Sequence, residues 1–223
     1  MFDRIIKLIG EDKFKKIQNS KILLVGIGGV GSFVFESLIR SGFQNITIID
    51  YDTVDITNIN RQLVANLNTI NNKKIEVAIE HAKIVNKNIN LKALDLKLDK
   101  NNINSLDNDF DFIIDACDSL EAKIELVKFS KANNIKIISS MGMGNRLDPT
   151  KIKISTLNKT INDPLAKKMR YLLKKENITL DIPVVFSEEI PLKKDAVYSC
   201  ITTTSVAGIY ITSYIINKIT KLY

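Results

Sequence analysis

Apolar and polar positions fall in blocks along this chain, and the block lengths predict its elements. Over the first twenty residues, Phe2, Ile5, Ile6, Leu8 and Ile9 form an apolar face, which predicts one or two short amphipathic helices. Apolar runs at 21–25 and 46–50 read as strands, with an amphipathic segment at 32–41 between them. Residues 69–85 have helical periodicity, with Ile75, Ala78, Ile79, Ala82 and Val85 on one face. Residues 91–96 alternate as a strand, and 110–114 read as a buried parallel strand ending at Asp115. A helix at 119–133 and a strand at 135–139 follow. Strand and helix alternate throughout this stretch, which predicts an α/β protein with a mostly parallel sheet covered on both faces.

The character changes near Gly142. Residues 141–145 are a loop punctuated by Gly142 and Gly144, with the composition of a mobile lid. A strand is expected at 152–157 and a basic helix at 164–175, with Asp163 as N-cap and Pro164 in the first turn. A strand at 182–186, a polar loop at 191–196 and a mostly apolar helix at 203–219 complete the chain. We read one domain, with a nucleotide-binding core over 1–140 and a substrate-facing extension over 141–223.

Composition narrows the class. The 223 residues suffice for one large domain, and 45% hydrophobic with 26% charged residues is ordinary for a soluble globular protein. No apolar run is long enough to span a bilayer. Residues 1–10 carry Asp3 beside Arg4 and no small-residue cleavage site, so they do not read as a secretory signal, and a cytoplasmic location is expected. The two cysteines, Cys117 and Cys200, form no C-x-x-C pair, which supports neither structural zinc nor a disulfide framework. The single histidine, His81, lies in a charged helical pattern and reads as exposed and inert. The net charge of +7 favours a polyanionic partner, although a chain so rich in Asn, Ile and Lys also reaches it through coding bias.

The chemistry gathers around the first strand. Lys21 to Gly31 reads KILLVGIGGVG, with Gly26, Gly28 and Gly31 in G-x-G-x-x-G register and Gly29 as a fourth glycine. Strand, glycine turn, helix, strand and the terminal acid Asp50 make the mononucleotide-binding half of a Rossmann-like, doubly wound sheet. The turn brings backbone close to a phosphate, the helix start offers free N–H groups, and Asp50 can accept from ribose hydroxyls. The glycine turn alone fits dehydrogenases, flavoenzymes and methyltransferases equally.

Residues 50–62, DYDTVDITNINRQ, narrow that choice. They place Asp50, Asp52, Asn58, Asn60, Arg61 and Gln62 at the ligand crevice. A dinucleotide enzyme has no need of an arginine there. Arg61 and Lys74 (with Lys73 beside it) suit a triphosphate and its departing pyrophosphate. Asp115-Ala-Cys-Asp118 follows another buried strand. Asp118 can hold Mg²⁺, while Asp115 reads as a structural strand-end acid and Asp52 as able to share either role. Cys117, between two acids, reads as a buried thiol with a raised pKa.

These residues resemble the adenylating superfamily of ubiquitin-activating enzymes and the bacterial activators of sulfur-carrier proteins. The shared pattern is GxGGxG, then DxDxVxxxNxxRQ, then a lysine, then DxxD, seen here at 26–31, 50–62, Lys74 and 115–118. The resemblance implies that Asp50 binds ribose, Arg61 and Lys74 the phosphates, and Asp118 the metal. It also implies that Arg4, in the opening F-D-R, reaches the partner subunit's ATP site in a homodimer with shared sites. One branch, the tRNA threonylcarbamoyladenosine dehydratases, is similar along nearly the whole chain. The similar segments include ISSMGMGNRLDPT, DPLAKKMRYLLKK, VVFSEE and SVAGI. That branch implies ATP-dependent adenylation of the modified base's carboxylate at tRNA position 37, followed by ring closure by the carbamoyl nitrogen. It requires no catalytic cysteine. It implies ATP, Mg²⁺ and no zinc, with room for a monovalent cation and for sulfur-relay or electron-delivery partner proteins. Residues 198–205 depart from the branch in lacking a proline before the final helix.

A tRNA partner gives the basic helix a role. Lys167, Arg170 and Lys174 share one face, with Lys168 and Lys175 beside them, and are expected to contact RNA phosphates. The alternatives are an activator of a small sulfur-carrier protein, a nucleotide-binding scaffold without catalysis, and a dehydrogenase.

Overall fold

The computed structural model describes residues 1–222. Two short helices, α1 (Asp3–Ile9) and α2 (Glu11–Asn19), lead into β1 (Lys21–Val25), α3 (Gly29–Arg40), β2 (Asn45–Asp50), α4 (Lys74–Val85) and β3 (Asn90–Asp95). Next come β4 (Phe112–Asp115), α5 (Leu120–Ala132), β5 (Lys136–Ser140), β6 (Ile152–Thr156), α6 (Pro164–Lys175), β7 (Pro183–Ser187) and α7 (Ile201–Thr220). The strands form one seven-stranded sheet in the order β3-β2-β1-β4-β5-β7-β6. Every neighbouring pair is parallel except β6 with β7. The strands from both parts of the chain therefore belong to a single sheet.

Side chains alternate across the strands, so β1 feeds two cores. Ile22 and Leu24 pack on one face with α3, α4 and α7, whereas Leu23 and Val25 pack on the other with α5 and α6. Burial on both faces explains why the central strands are apolar throughout. The α3–α7 crossing depends on Gly208, where a Cβ would lie 2.7 Å from the Val30 carbonyl oxygen and 2.8 Å from Phe33 Cβ.

The observed elements follow the sequence pattern with three differences. Leu8 is exposed and α1 buries no residue fully, so the five-residue apolar face expected at the N-terminus is incomplete. The helix expected from 69 starts at Lys74. Asn71 donates to the Val54 carbonyl and Val54 to that of Asn72, both at 2.9 Å, and Asn71 takes a positive φ. That pairing, with the Thr53–Lys73 bridge, uses the backbone groups a longer helix would need. His81 is half-buried, with Nε2 2.5 Å from Glu36 Oε2, and links α4 to α3 rather than standing free in solvent.

Candidate active site at the reversal of strand order

Strand order reverses between β1 and β4, and in a doubly wound sheet the crevice lies beyond the carboxyl ends of those strands. A cleft of about 710 Å³ opens there, within the range of small-molecule sites. Gly26, Gly28 and Gly29 form part of its wall.

Each glycine meets a different constraint. Gly26 has φ +92°, and a Cβ there would lie 2.8 Å from the Ala116 carbonyl oxygen and 2.9 Å from Cys117 N. A Cβ at Gly31 would lie 1.8 Å from the Gly26 oxygen, so the turn closes tightly on the helix behind it. Gly28 borders open space at the N-cap of α3, leaving the first-turn N–H groups without a side-chain cap. Gly31→Ala should therefore destabilise by about 3 kcal/mol, the upper end of the overpacking range. Denaturant unfolding reads this directly, and an unchanged midpoint would contradict the packing described.

Asp50 is buried at the β2 tip. Its Oδ2 accepts the Ile27 N–H at 2.6 Å and its Oδ1 the Asp52 N–H at 2.8 Å, so it braces the glycine turn while lining the cleft. Each oxygen keeps acceptor capacity for a ligand. Lys74 also lines the cleft, with its side chain 5% exposed and its Nζ 2.7 Å from Asp52 Oδ2. Asp52 thus acts on Lys74. Lys73 is directed elsewhere, towards the Tyr51 carbonyl at 3.1 Å and Asp95 at 3.2 Å.

The 50–62 segment positions Arg61 through its neighbours. Asp55 and Asn58 form a reciprocal cap on the short turn 56–58. Arg61 Nη1 donates to the Thr57 carbonyl and to Asn60 Oδ1, each at 2.8 Å. Asn60 Nδ2 donates to the Ser199 carbonyl at 2.9 Å, tying this segment to the residues before α7. Both ends of the Asn60 amide serve the protein, and Asn60 is not among the residues that line the cleft. Asn58, Arg61 and Gln62 do line it. Gln62 is buried, and its Oε1 has no hydrogen-bond partner among the described residues.

The acids at the end of β4 and just beyond it differ sharply. Asp118 is exposed on the cleft wall and makes no ion pair or side-chain hydrogen bond among the described residues. Asp115 is fully buried, with both oxygens 3.0 Å from Lys123 Nζ and a hydrogen bond from Ser139. Burial pushes the Cys117 thiol well above its ordinary pKa, and Asp115 adds to the rise. Burial also raises the Cys200 thiol, but hydrogen bonds from Thr202 and Thr203 outweigh it and leave the thiol below its ordinary value.

Sequence reasoning missed two groups. Lys123 resembled any helical lysine, and only its place eight residues after a strand-end acid signalled a partner. Arg146 directly follows the 141–145 loop and is 3% exposed. It donates to the carbonyls of Gly142 (2.5 Å), Gly144 (3.3 Å), Asn162 (2.8 Å) and Glu189 (3.1 Å). Asp163 lies 3.7 Å from its Nη2 and accepts the Gly142 N–H at 3.0 Å. The 141–145 loop is thus clamped, which corrects the mobile-lid expectation.

Outside the cleft, Arg4 is exposed on α1 and reaches no part of this chain's own site. On α6, Lys167, Lys168, Lys174 and Lys175 are exposed, with Lys175 4.6 Å above the Tyr171 ring. Arg170 differs from the expected RNA-facing position. Its Nη1 donates to the carbonyls of Leu157 (3.3 Å) and Thr160 (3.1 Å), so it caps the 157–160 turn.

The profile of the ThiF family matches residues 2–220. The chain belongs to the ThiF family. Within the ThiF family it is 39% identical over 194 residues to the Bacillus subtilis tRNA threonylcarbamoyladenosine dehydratase, covering 86% of this chain and 76% of that one. Identity to the Escherichia coli tRNA threonylcarbamoyladenosine dehydratase is 35% over 199 residues, covering 89% and 72%. The crystal structure of the E. coli enzyme with AMP superposes with a TM-score of 0.94 at 32% identity, covering 99% of this chain and 94% of that one. The same enzyme with ATP gives a TM-score of 0.92. The Haemophilus influenzae molybdopterin-synthase adenylyltransferase is 30% identical over 144 residues, covering 65% of this chain and 58% of that one. These matches agree with the ThiF-like fold and the dehydratase resemblance read from the motifs. No helix among the described residues is long and apolar enough to cross a membrane.

Proposed function

We propose that this chain is an ATP-dependent dehydratase acting on threonylcarbamoyladenosine at tRNA position 37. The observation that carries the reading is the extent of likeness. The dehydratases match 78–89% of the chain, whereas the molybdopterin-synthase adenylyltransferase matches 65%.

In this reaction the base's carboxylate oxygen attacks the α-phosphorus of ATP, and the bond to pyrophosphate breaks. The carbamoyl nitrogen then bonds to the acyl carbon, loses its proton and expels AMP. The nucleophiles come from the substrate, so the chain's work is to bind, orient and balance charge. The glycine turn and the α3 N–H groups receive phosphate oxygens, Asp50 the ribose hydroxyls, and Arg61 and Lys74 the charge developing on pyrophosphate. Gln62 Oε1 is an open acceptor for a ligand donor. Tyr51, Leu96 and Leu98 add apolar lining suited to the base. The free carboxylate of Asp118 fits Mg²⁺, which takes one or two carboxylates plus phosphate oxygens. Mg²⁺ bound there would neutralise charge on the transferring phosphates. Nucleotide oxygens would supply the other ligands of a Mg²⁺ ion held by Asp118.

The working unit is a homodimer in the cytoplasm, with Arg4 of the partner subunit entering the site. Exposed Ile56, Ile59, Leu63 and Leu67 on the segment beside the cleft support a subunit interface there. The α6 lysines supply tRNA phosphate contacts. Lys167→Glu with Lys174→Glu should weaken tRNA binding, flatten its salt dependence by roughly 0.9 per lost contact or less, and leave ATP affinity intact. Filter binding across salt concentrations reads this, and an unchanged slope removes α6 from the interface.

Pyrophosphate–ATP exchange tests the acceptor. It should require tRNA bearing threonylcarbamoyladenosine. Exchange that requires a carrier protein ending in Gly-Gly would replace this reading with the activator one.

A further inference from the structure

Lys123 is fully buried, yet no role above uses it. Its Nζ lies 3.0 Å from both oxygens of Asp115, donates to the Ser140 carbonyl at 2.7 Å and lies 3.4 Å from Ser139 Oγ. An ammonium has three donors, so it is fully engaged. Its partners come from different elements: Asp115 ends β4, Ser139 and Ser140 end β5, and Lys123 itself lies in the first turn of α5.

What this knot holds is the 116–118 turn. Asp115 Oδ1 accepts the Cys117 N–H at 3.3 Å, and Ala116 N donates to the Val25 carbonyl at 2.9 Å. The turn then meets the site on two sides. Ala116 and Cys117 back onto Gly26 so closely that no Cβ fits between them, and Asp118 ends the turn on the cleft wall.

We propose that Lys123 is a positioning residue for the adenylation step, acting through Asp115 to fix the 116–118 turn and with it Asp118 and the floor of the glycine turn. The inference rests on Asp118 serving the phosphate end of the site. A buried ion pair stabilises no better than apolar side chains of similar volume, so stability alone does not explain this one. Removing one partner, by contrast, strands a buried charge beside the 116–118 turn. Loss of a partner that orients a metal-binding group characteristically costs 10- to 100-fold in metal affinity or activity.

The test separates stability from positioning. Lys123→Met should lower the unfolding temperature, and Asp115→Asn with Lys123→Met, which leaves no unpaired charge, should recover most of it. In the double variant, the Mg²⁺ concentration for half-maximal ATP binding, read by calorimetry, should still rise by roughly tenfold or more. Ser139→Ala, which keeps the ion pair and removes one hydrogen bond to Asp115, should shift the Mg²⁺ midpoint in the same direction in a stably folded chain. Wild-type Mg²⁺ midpoints in the folded variants would overturn the proposal. Asp118→Asn distinguishes the two levels. If it leaves the Mg²⁺ midpoint unchanged, the reading of Asp118 fails. If it raises the midpoint while the Asp115/Lys123 and Ser139 variants do not, only the role of Lys123 fails.

Discussion

Arg61→Ala should lower pyrophosphate–ATP exchange by about 10²–10³-fold, the usual loss when a preorganised donor to developing charge is removed. The size follows from preorganisation. Two hydrogen bonds, to the Thr57 carbonyl and Asn60 Oδ1, hold Nη1, and among the described residues the rest of the guanidinium has no side-chain partner. AMP affinity should change far less, because AMP lacks the β- and γ-phosphates. Asn60→Ala should give a smaller loss of the same kind, since it frees Arg61 without removing it. Exchange kinetics beside AMP binding test both, and wild-type exchange in Arg61→Ala would remove Arg61 from the stabilisation of the departing pyrophosphate.

The largest stability effect is expected at Arg146. Arg146→Met strips four carbonyl oxygens of their donor and leaves buried Asp163 without its cation. Breaking a buried pair in this way costs about 3–5 kcal/mol. At roughly 2–4 °C per kcal/mol for a domain of this size, unfolding should begin some 6–20 °C lower. Hydrogen exchange should place the first opening at Gly142 and Gly144. A uniform, small loss of protection would mean that the loop does not depend on the clamp.

Local signals made most of the fold legible. The α6 boundaries and the Asp163 cap agree residue for residue because a cap and a proline act within one turn. The central strands were plain because burial on both faces leaves unbroken apolar runs. The antiparallel pairing of β6 was not, since alternation says nothing of strand direction. The start of α4 is not legible locally because the 69–72 turn is fixed by Val54, fifteen or more residues away.

At the site, residues that offer a group to the cleft stood out through the 26–31 and 50–62 patterns. Those that work through another residue did not. Asn60 and Arg61 are adjacent in sequence, yet one holds the other. Lys123 and Arg146 carry charges that ordinarily mark surface, and only the tertiary positions of Asp115 and Asp163 reveal them as buried. Arg170 fits the basic helical face by spacing, but the Thr160 carbonyl captures it.

The central claim is tested most directly by mass spectrometry of nucleosides from tRNA bearing threonylcarbamoyladenosine, after incubation with the protein, ATP and Mg²⁺. The account predicts that the modified nucleoside loses the mass of one water only when ATP is present. An unchanged nucleoside, with ATP consumed only when a Gly-Gly carrier protein is added, would contradict it.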